Sequence, residues 1–560
     1  MMPPRRLGRV AALAFGFSWL LLRLGAADRE QARSMVISRQ GIVAAESPLA
    51  AQAGVNVLEQ GGNAIDAAVA ANAVMGVVAP MMNGIGGDLF AIVFDAKSQR
   101  LLGLNASGWA PQALSIAFLR AQGLQAMPPH GVHSITVPGT VDGWQKLAER
   151  FGRKPLGSDL AAAIRAAENG FPVPELTAAD WAEEESLLRG DPAAAATYLV
   201  GGHAPRVGDV FRNPDLARAL RLIAQRGRDG FYRGETARRI LERMGGSGGK
   251  MSAEDLDQFS GEWVEPVSTT YRGWTVYEMP PNGQGIAALM MLNIMERFPL
   301  GEYGFGAAAT LHAMIEAKKL AYADMRRYVG EPRDQRLPVA TLLGKPWAEA
   351  RAAQIDPQHA RRDVAAGEMR GGTDTTYLCA VDRDGNMVSL IQSNSGSFGS
   401  GIVAPGTGFV LQNRGALFSL DPGTPNALAG RRRPLHTIIP AFARKGDVAI
   451  AFGIMGGWNQ PQAHAQFVAD IADFGMNIQS ALEAPRFTKQ TFAGNDVEME
   501  DRFPAEVRAE LAAKGHEIRL RGAFSEHMGG GQAVERNFAA GVNYGASDPR
   551  KDGAAIAESP

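Results

Sequence analysis

Thr375 stands where a single peptide-bond cleavage would create a catalytic group. It follows Asp374 at the end of a charged, glycine-containing stretch (residues 361–372), and it opens a β-prone run. If the bond between Asp374 and Thr375 breaks, the new α-amine lies beside the threonine hydroxyl. An α-amine titrates at roughly pH 7.7–8.0, so much of it is neutral at working pH and can accept the hydroxyl proton. The alternative is that Thr375 and Thr376 simply begin an edge strand.

Two further elements have the chemistry that acyl transfer needs. Gly456 and Gly457 follow an apolar strand predicted at residues 448–454, and glycines there let two backbone N–H groups converge on one point, as an oxyanion hole requires. Ser393 opens a serine- and glycine-rich segment (residues 393–401), and its hydroxyl could bond to the candidate threonine. Each element also has a plain structural interpretation, as a glycine turn or a polar loop.

A β-hairpin would bring the candidate residues together. Residues 375–381 and 387–392 are β-prone, and Gly385 supplies the positive φ that the intervening turn needs. Hairpin geometry returns Ser393 towards the start of the first strand. We also predict strands at residues 408–412, 436–443 and 448–454, and helices at residues 463–474 and 478–483.

The middle of the chain, from about residue 138 to residue 370, is predicted to be mainly helical, and two helices and a strand are predicted before it. Residues 47–58 and 63–77 read as two helices, the first with Ser47 as a candidate cap. A glycine turn at residues 83–88 then leads into a strand at residues 89–94, and its spacing excludes a phosphate-binding loop. Because strands and helices segregate along the chain, we expect an α+β fold with a packed two-sheet core and helices outside.

Composition excludes several classes of function. The 560 residues are 46% hydrophobic and 21% charged with a net charge of -1, so a large core is expected and no electrostatic footprint for nucleic acid is present. The single cysteine, Cys379, excludes an intrachain disulfide and a cysteine-based zinc cluster. It lies in an apolar run, which favours a small core residue over a nucleophile.

The N-terminus has the pattern of an export signal. Arg5, Arg6 and Arg9 precede an apolar stretch at residues 10–22, and small residues follow up to Ala27. We therefore predict a signal peptide at residues 1–27 and a mature protein that is exported, periplasmic or secreted, without a stable membrane span. An uncleaved membrane anchor is the alternative, although the apolar stretch is short for one.

Ordered motifs along the chain resemble the γ-glutamyltranspeptidase family. The motifs resembling the large subunit are PLA at 48–50, QGGNAIDAAVA at 60–70, GIGG at 84–87, VPG at 137–139 and YAD at 322–324. Those resembling the small subunit are TTYLCAVDRDGN at 375–386, FGSGIV at 398–403 and RPL at 433–435. They occur in the family's order and cover most of the chain.

The resemblance implies a four-layer αββα sandwich of the N-terminal nucleophile hydrolase type. It implies self-cleavage between Asp374 and Thr375 into a large subunit (residues 28–374) and a small catalytic subunit (residues 375–560) that stay associated. By the same resemblance, Thr375 is the nucleophile, Ser393 is its hydroxyl partner, and the oxyanion donors are Gly456 and Gly457. The substrate would be a small γ-glutamyl or related acyl amide, and neither a metal nor an organic cofactor is implied.

The chain departs from the family where the substrate is held. γ-Glutamyl enzymes bind the donor's α-carboxylate with an arginine and its α-amine with an acid, and the matching positions here are Ser107 and Leu417. The usual glutamine, serine pair and asparagine are also replaced. We predict substrate contacts from the residues at or near these positions, namely Ser107, Ser395, Arg414, His436 and Thr437. Arg414 or His436 could bind a carboxylate in a different way, or both could be structural polar residues.

Three hypotheses follow. The first is a γ-glutamyltransferase and glutathione hydrolase that works through a Thr375 acyl-enzyme. The second keeps the nucleophile but takes another acyl donor, as cephalosporin and glutaryl acylases do, and the departures resemble that branch. The third, a non-catalytic binding protein with the same fold, conflicts with the retention of Thr375 and of the Gly456-Gly457 pair.

Overall fold

A computed structural model describes residues 31–333, 337–362, 364 and 374–560. The predicted leader at residues 1–27 and most of the charged stretch at 361–372 lie outside the described residues. The strands are β1 Val36–Ser38, β2 Ile42–Ala45, β3 Asp88–Asp95, β4 Arg100–Ala106, β5 Phe171–Pro172, β6 Val210–Phe211, β7 Glu262–Val264, β8 Val267–Tyr271, β9 Trp274–Glu278, β10 Asp374–Val381, β11 Met387–Ser395, β12 Ala441–Lys445, β13 Val448–Ile454, β14 Phe487–Thr488, β15 Asp496–Glu500, β16 Glu517–Arg521, β17 Gly531–Asn537, β18 Val542–Ser547 and β19 Ala554–Ala557.

The helices surround these strands. They are α1 Pro48–Glu59, α2 Ala64–Val78, α3 Ile116–Ala121, α4 Thr140–Phe151, α5 Leu156–Asp159, α6 Ala161–Asn169, α7 Glu175–Glu183, α8 Glu185–Arg189, α9 Pro192–Tyr198, α10 Pro214–Arg226, α11 Asp229–Tyr232, α12 Gly234–Gly246, α13 Ala253–Asp257, α14 Gly285–Met295, α15 Leu300–Tyr303, α16 Ala308–Tyr328, α17 Val339–Leu342, α18 Lys345–Ala352, α19 Gln460–Ala472, α20 Ile478–Glu483 and α21 Ala505–Ala513.

Two seven-stranded sheets form the centre of the molecule. The nucleophile sheet has the strand order β19-β2-β10-β11-β3-β4-β7, and the facing sheet has the order β1-β18-β17-β13-β12-β9-β8. One apolar cluster fills the space between the sheets, with Phe90 and Tyr377 from one sheet and Phe442 from the other. Helices α1 and α2 cover the outer face of the nucleophile sheet, and α14, α16 and α19 cover the facing sheet. The fold is therefore the expected αββα sandwich.

The hairpin predicted around Thr375 is confirmed. β10 and β11 pair antiparallel, and Gly385 in their turn has a φ of 90°. Side chains along β10 alternate as a strand requires: Tyr377 and Cys379 face the inter-sheet core, whereas Leu378 packs under the helices. Cys379 is fully buried, and burial raises the pKa of its thiol, so the expected core role is confirmed.

The helices and strands follow the sequence prediction in most places, with two corrections. β13 and α20 match their predicted bounds, although the Ser47 hydroxyl makes no capping bond to α1. Residues 408–412 are not a strand, because Gly408 has a φ of 78° and the segment bonds instead to loop residues such as Ile402. Only the end of 436–443 is a strand, and its first residues enter the candidate site.

No helix in the described part of the chain is both long and apolar enough to cross a membrane.

Candidate active site

Thr375 lies at an irregularity in the nucleophile sheet. The pairing between β10 and β11 shifts register between Asp374 and Thr376, and Asp374 lies opposite Ser395. The Thr375 side chain is 1% exposed. Its Oγ1 lies 3.5 Å from Ser393 Oγ, to which it can donate, and 3.5 Å from Nε2 of Gln460, from which it can accept. The structure thus places the predicted nucleophile and its predicted hydroxyl partner in contact.

Ser393 is held in place by one neighbour across the sheet and one neighbour along the chain. Its backbone lies opposite Asp88 of β3, and its Oγ accepts a hydrogen bond of 2.7 Å from the N–H of Ser395. Ser395 has a φ of 82°, an uncommon conformation that turns the chain out of the strand. The Ser395 N–H therefore orients the Ser393 hydroxyl towards Thr375.

Gly456 and Gly457 follow β13 and begin a short 3-10 turn (Gly457–Asn459) that leads into α19. Their φ values are 125° and 58°, and a side chain would strain the backbone at either position. Among the described residues, neither N–H donates to another group, whereas the preceding Met455 N–H bonds to Gly530. Two N–H groups are thus available at the end of a buried strand, where the oxyanion donors are predicted.

Two glutamines that the sequence reasoning missed hold this glycine turn in place. Gln284 Nε2 donates to the carbonyl oxygens of Gly457, at 2.8 Å, and of Thr437, at 2.5 Å. Gln460, the first residue of α19, reaches Thr375 and accepts from the Ile439 N–H at 3.1 Å. The only sequence signal for Gln460 was its position three residues after the Gly-Gly pair.

Glu46 is a third residue that the sequence did not single out. It follows β2, is buried, and accepts a hydrogen bond of 3.0 Å from the Tyr377 N–H. Burial raises the pKa of its carboxyl to about 8, and the positive charge of Lys551 opposes that rise only in part. Glu46 is therefore mainly protonated at neutral pH, two residues along the sheet from Thr375.

His436 is buried against Asp88, the first residue of β3, which directly follows the glycine turn. His436 Nε2 lies 2.8 Å from Asp88 Oδ2, and His436 Nδ1 accepts from the Ile438 N–H at 3.3 Å, so the ring is neutral with its proton on Nε2. Burial, helped by the charge of Arg414, lowers the pKa of His436 to about 4. The ring is thus a fixed donor to Asp88. Asp88 is a fourth residue that the sequence did not single out, and its only sequence signal was its place directly after the glycines.

Arg414 and Thr437 contact one another. Arg414 begins a short 3-10 turn (Arg414–Leu417), and its Nη1 donates to Thr437 Oγ1 at 2.6 Å. Burial lowers the pKa of Arg414 to about 10, which still leaves it a cation at neutral pH. The predicted substrate contacts Arg414, His436 and Thr437 therefore share one buried cluster, which we call the Arg414 cluster.

The positions of the missing α-amino-acid clamp are filled by structural groups. The Ser107 hydroxyl donates to Asn105 Oδ1 at 2.7 Å and accepts from Asn282 Nδ2 at 3.3 Å. Leu417 is 3% exposed and packs in the apolar cluster of the facing sheet. Neither side chain carries the charge that a γ-glutamyl donor would need.

Three potential metal ligands lie together elsewhere in the described residues. His312, Glu316 and His516 place one donor atom each within 4.8 Å of one another. Lys319 Nζ lies 2.7 Å from Glu316 Oε1, however, and the two imidazoles are already 2.8 Å apart as a hydrogen-bonded pair. A cation in this cluster would face the Lys319 charge, so the arrangement is that of a buried hydrogen-bond network.

Comparisons with known proteins agree with this fold and with the family resemblance of the sequence motifs. The Gamma-glutamyltranspeptidase family profile matches residues 50–558. The chain is 36% identical over 526 residues to the glutathione hydrolase-like YwrD proenzyme of Bacillus subtilis, covering 93% of this chain and 99% of that protein. It is also 36% identical over 534 residues to the oxamate amidohydrolase proenzyme of Klebsiella pneumoniae, covering 93% and 98%.

A solved structure extends the agreement to three dimensions. The crystal structure of cephalosporin acylase from Bacillus halodurans superposes with a TM-score of 0.89 at 43% sequence identity, covering 94% of this chain and 97% of that one. The family profile and the relatives each span nearly the whole chain, and the relatives are enzymes. The chain belongs to the gamma-glutamyltranspeptidase family of enzymes.

Proposed function

We propose that the chain cuts itself between Asp374 and Thr375 and then hydrolyses acyl amides through an ester on the freed Thr375. The observation that carries the proposal is the position of Thr375 Oγ1. It lies at the first residues of β10, between Ser393 Oγ and Gln460 Nε2, and Gln460 is three residues from Gly457. This arrangement supports one hydroxyl acting first on its own chain and then on substrate.

The self-cleavage step needs no group beyond the chain and water. The hydroxyl oxygen of Thr375 attacks the carbonyl carbon of Asp374, and the peptide nitrogen leaves that carbon as it takes up a proton. Water then hydrolyses the ester, which leaves a carboxylate on Asp374 and both a hydroxyl and an α-amine on Thr375. The register shift between Asp374 and Thr376 supports this step, because it takes the bond out of regular pairing.

In turnover, the same hydroxyl attacks the carbonyl carbon of the donor amide. The α-amine of Thr375 accepts the hydroxyl proton and passes it to the departing amine nitrogen, so an acyl ester and a free amine result. Water or an acceptor amine then takes the acyl group, and the threonine hydroxyl is restored. The N–H groups of Gly456 and Gly457 would stabilise the oxyanion in both acylation and deacylation, and Ser393 would hold the Thr375 hydroxyl in position.

The two pieces would remain interleaved after the cut. β2 and β3 belong to residues 28–374, whereas β11, β19 and all of β10 except Asp374 belong to residues 375–560. In the nucleophile sheet, β10 and β11 lie between β2 and β3, and β19 lies beyond β2. Separating the pieces would break backbone hydrogen bonds on both sides of the central hairpin and expose the inter-sheet core, so we propose a stable heterodimer.

The residues at the family's donor-binding positions bear on the class of acyl donor. The apolar Leu417 and the internally bonded Ser107 hydroxyl favour an acylase-type donor over a γ-glutamyl group. The names of two similar proteins, an oxamate amidohydrolase and a cephalosporin acylase, point the same way. γ-Glutamyl transfer and glutathione hydrolysis are the second candidate, favoured by the similar protein named glutathione hydrolase-like.

Trapping the acyl group tests this function. The purified, self-cleaved protein is mixed with a panel of acyl amides that includes glutathione and glutaryl amides, quenched in acid, and analysed by mass spectrometry. We expect one acyl mass added to the small subunit and located on the peptide that begins at Thr375. A cleaved protein that hydrolyses no amide and carries no acyl adduct would contradict the proposed activity.

We also propose that residues 1–27 direct export and are removed. The basic, apolar and small-residue segments of the sequence support this proposal. N-terminal sequencing of the large subunit recovered from the periplasmic or culture fraction should start near residue 28. Recovery of the protein only inside the cell with an intact N-terminus would overturn it.

A further inference from the structure

The Arg414 guanidinium has an edge that no group of the described residues uses. The side chain is 0% exposed, and Nη1 is bonded to the Thr437 hydroxyl. Nε and Nη2, by contrast, have no hydrogen-bond partner among the described residues. Leaving charged donors buried and unpaired is costly, so such groups usually have a function.

The two unused nitrogens are the pair best suited to a carboxylate. Nε and Nη2 lie on the same edge of the planar guanidinium, and their N–H bonds run parallel. A carboxylate can accept both at once, one per oxygen, which gives strength and a defined orientation. The hydrogen bond from Nη1 to Thr437 fixes the plane of the guanidinium before an anion binds. Anion binding therefore costs little conformational entropy at Arg414.

Arg414 is tied to both sides of the nucleophile. The preceding residue, Asn413, donates its N–H to the Asn394 carbonyl at 3.1 Å and accepts from the Gly396 N–H at 2.7 Å, next to Ser393. On the other side, the Thr437 carbonyl shares the amide of Gln284 with the carbonyl of Gly457. The guanidinium is thus anchored to the segment after Ser393 and to the loop of the candidate oxyanion donors.

The groups around Arg414 do not favour an ammonium. Asp88 is the acid of this cluster, and both its oxygens already accept: Oδ1 from Gly108 and Gln412, and Oδ2 from His436. The family's amine-binding acid is replaced by Leu417, the last residue of the same 3-10 turn. An α-ammonium placed here would meet a guanidinium without a free carboxylate beside it.

We propose that the Nε–Nη2 edge of Arg414 binds the distal carboxylate of the acyl donor, and that the donor is a monoamide of a dicarboxylic acid without an α-ammonium group. This inference rests on the proposed Thr375 acyl-enzyme and names its substrate class. Arg414 would take over carboxylate binding from a segment other than the one that carries the family's arginine, and no acid replaces the family's amine-binding acid in its own 3-10 turn. The acyl carbonyl lies at Thr375 and the far carboxylate lies in the Arg414 cluster.

Three chromogenic anilides with the same five-carbon acyl chain test the inference on the self-cleaved protein. The glutaryl anilide has the distal carboxylate alone, the γ-glutamyl anilide adds the ammonium, and the pentanoyl anilide has neither charge. We expect kcat/KM for the glutaryl donor to exceed both others by about 10- to 100-fold, as charge-assisted bonds allow. Arg414→Gln should abolish the preference in kcat/KM for the glutaryl over the pentanoyl anilide, mainly by raising KM for the glutaryl donor. Arg414→Lys should retain part of this preference, because lysine keeps the charge but lacks the two parallel N–H donors.

A binding experiment tests the inference even if the natural donor has another chain length or the Arg414→Gln variant does not fold. Free dicarboxylates from oxalate to adipate are compared, by calorimetry on the wild-type self-cleaved protein, with monocarboxylates of equal length. At least one dicarboxylate should bind about tenfold more tightly than its monocarboxylate. Equal binding at every length, or an Arg414→Gln variant that cleaves itself and keeps the full glutaryl-to-pentanoyl ratio, would overturn the inference.

Different experimental outcomes would contradict the role of Arg414 and the proposed acyl-enzyme. Hydrolysis of pentanoyl or γ-glutamyl anilide without any preference for a dicarboxylic monoamide would leave the acyl-enzyme in place and remove the role of Arg414. Tight dicarboxylate binding that Arg414→Gln abolishes, in a protein that hydrolyses no amide, would keep the anion site and remove the proposed activity.

Discussion

Gln460 Nε2 lies 3.5 Å from the hydroxyl oxygen of Thr375, although the two residues are 85 positions apart in the chain. Gln460 begins α19 directly after the turn that contains Gly456 and Gly457, and its side-chain Oε1 accepts a hydrogen bond from the Ile439 N–H. The candidate nucleophile and the candidate oxyanion donors are therefore connected through one buried amide.

Gln460→Ala should slow both self-cleavage and turnover by about fivefold, because one hydrogen bond that orients the hydroxyl is worth about 1 kcal/mol. The rate of fragment formation and kcat of the mature protein are the measurements. Gln462→Ala is the matched control: Gln462 is equally buried on the same helix but bonds to Thr488 and Lys489. If both variants lose activity equally and unfold at the same lower temperature, Gln460 has only a structural role.

Ser393→Ala should lower the rate of self-cleavage by about 10- to 100-fold, because it removes the acceptor of the Thr375 hydroxyl and frees the Ser395 N–H. Ser393→Thr keeps an oxygen at the same place and should restore most of the rate. The time course of cleavage after denaturant removal measures both. Normal cleavage in Ser393→Ala would exclude Ser393 from the reaction.

The local parts of the site could be predicted from the sequence. The strands around Gly385 and the Gly456-Gly457 turn depend on neighbouring residues, whose propensities the sequence displays directly. Gln460 and Glu46 could not be identified, since each acts through a contact with β10 that only the folded sheets create.

The wrong strand at residues 408–412 has a similar cause. Its apolar residues are β-prone, but Gly408 approaches the start of α10 so closely that a Cβ atom would lie 2.2 Å from the Leu216 nitrogen. Tertiary packing therefore sets the conformation of this segment, and local propensity does not.

Glu46 should make stability depend on pH. Burial raises its pKa from an ordinary 4.5 to about 8, so the folded chain keeps this proton over a pH range in which the unfolded chain has released it. Its stabilising contribution is complete below about pH 4.5 and is lost as pH rises towards 8. Between about pH 5.5 and 8, the uncleaved Thr375→Ala protein should lose about 3 kcal/mol of unfolding free energy relative to its Glu46→Gln derivative. Parallel pH profiles for the two proteins would show that Glu46 ionises normally.

Leu417→Asp should shift donor preference towards γ-glutamyl amides. It places a carboxylate on the 3-10 turn of Arg414, where an α-ammonium could pair with it. We expect the ratio of kcat/KM for γ-glutamyl over glutaryl anilide to rise about tenfold, with some loss of stability because Leu417 is buried. Leu417→Asn has a similar shape without the charge and should not change the ratio. An equal change in both variants would argue against a position beside the donor.

The most direct test of the account is the identity of the new chain terminus. Purified wild-type protein is run on a denaturing gel, and the smaller band is sequenced from its N-terminus. We predict two bands, with the smaller one beginning at Thr375, slower cleavage in Thr375→Ser, and one uncleaved band in Thr375→Ala. A smaller fragment that begins elsewhere, or a Thr375→Ala protein that is cleaved as fast as the wild type, would contradict it.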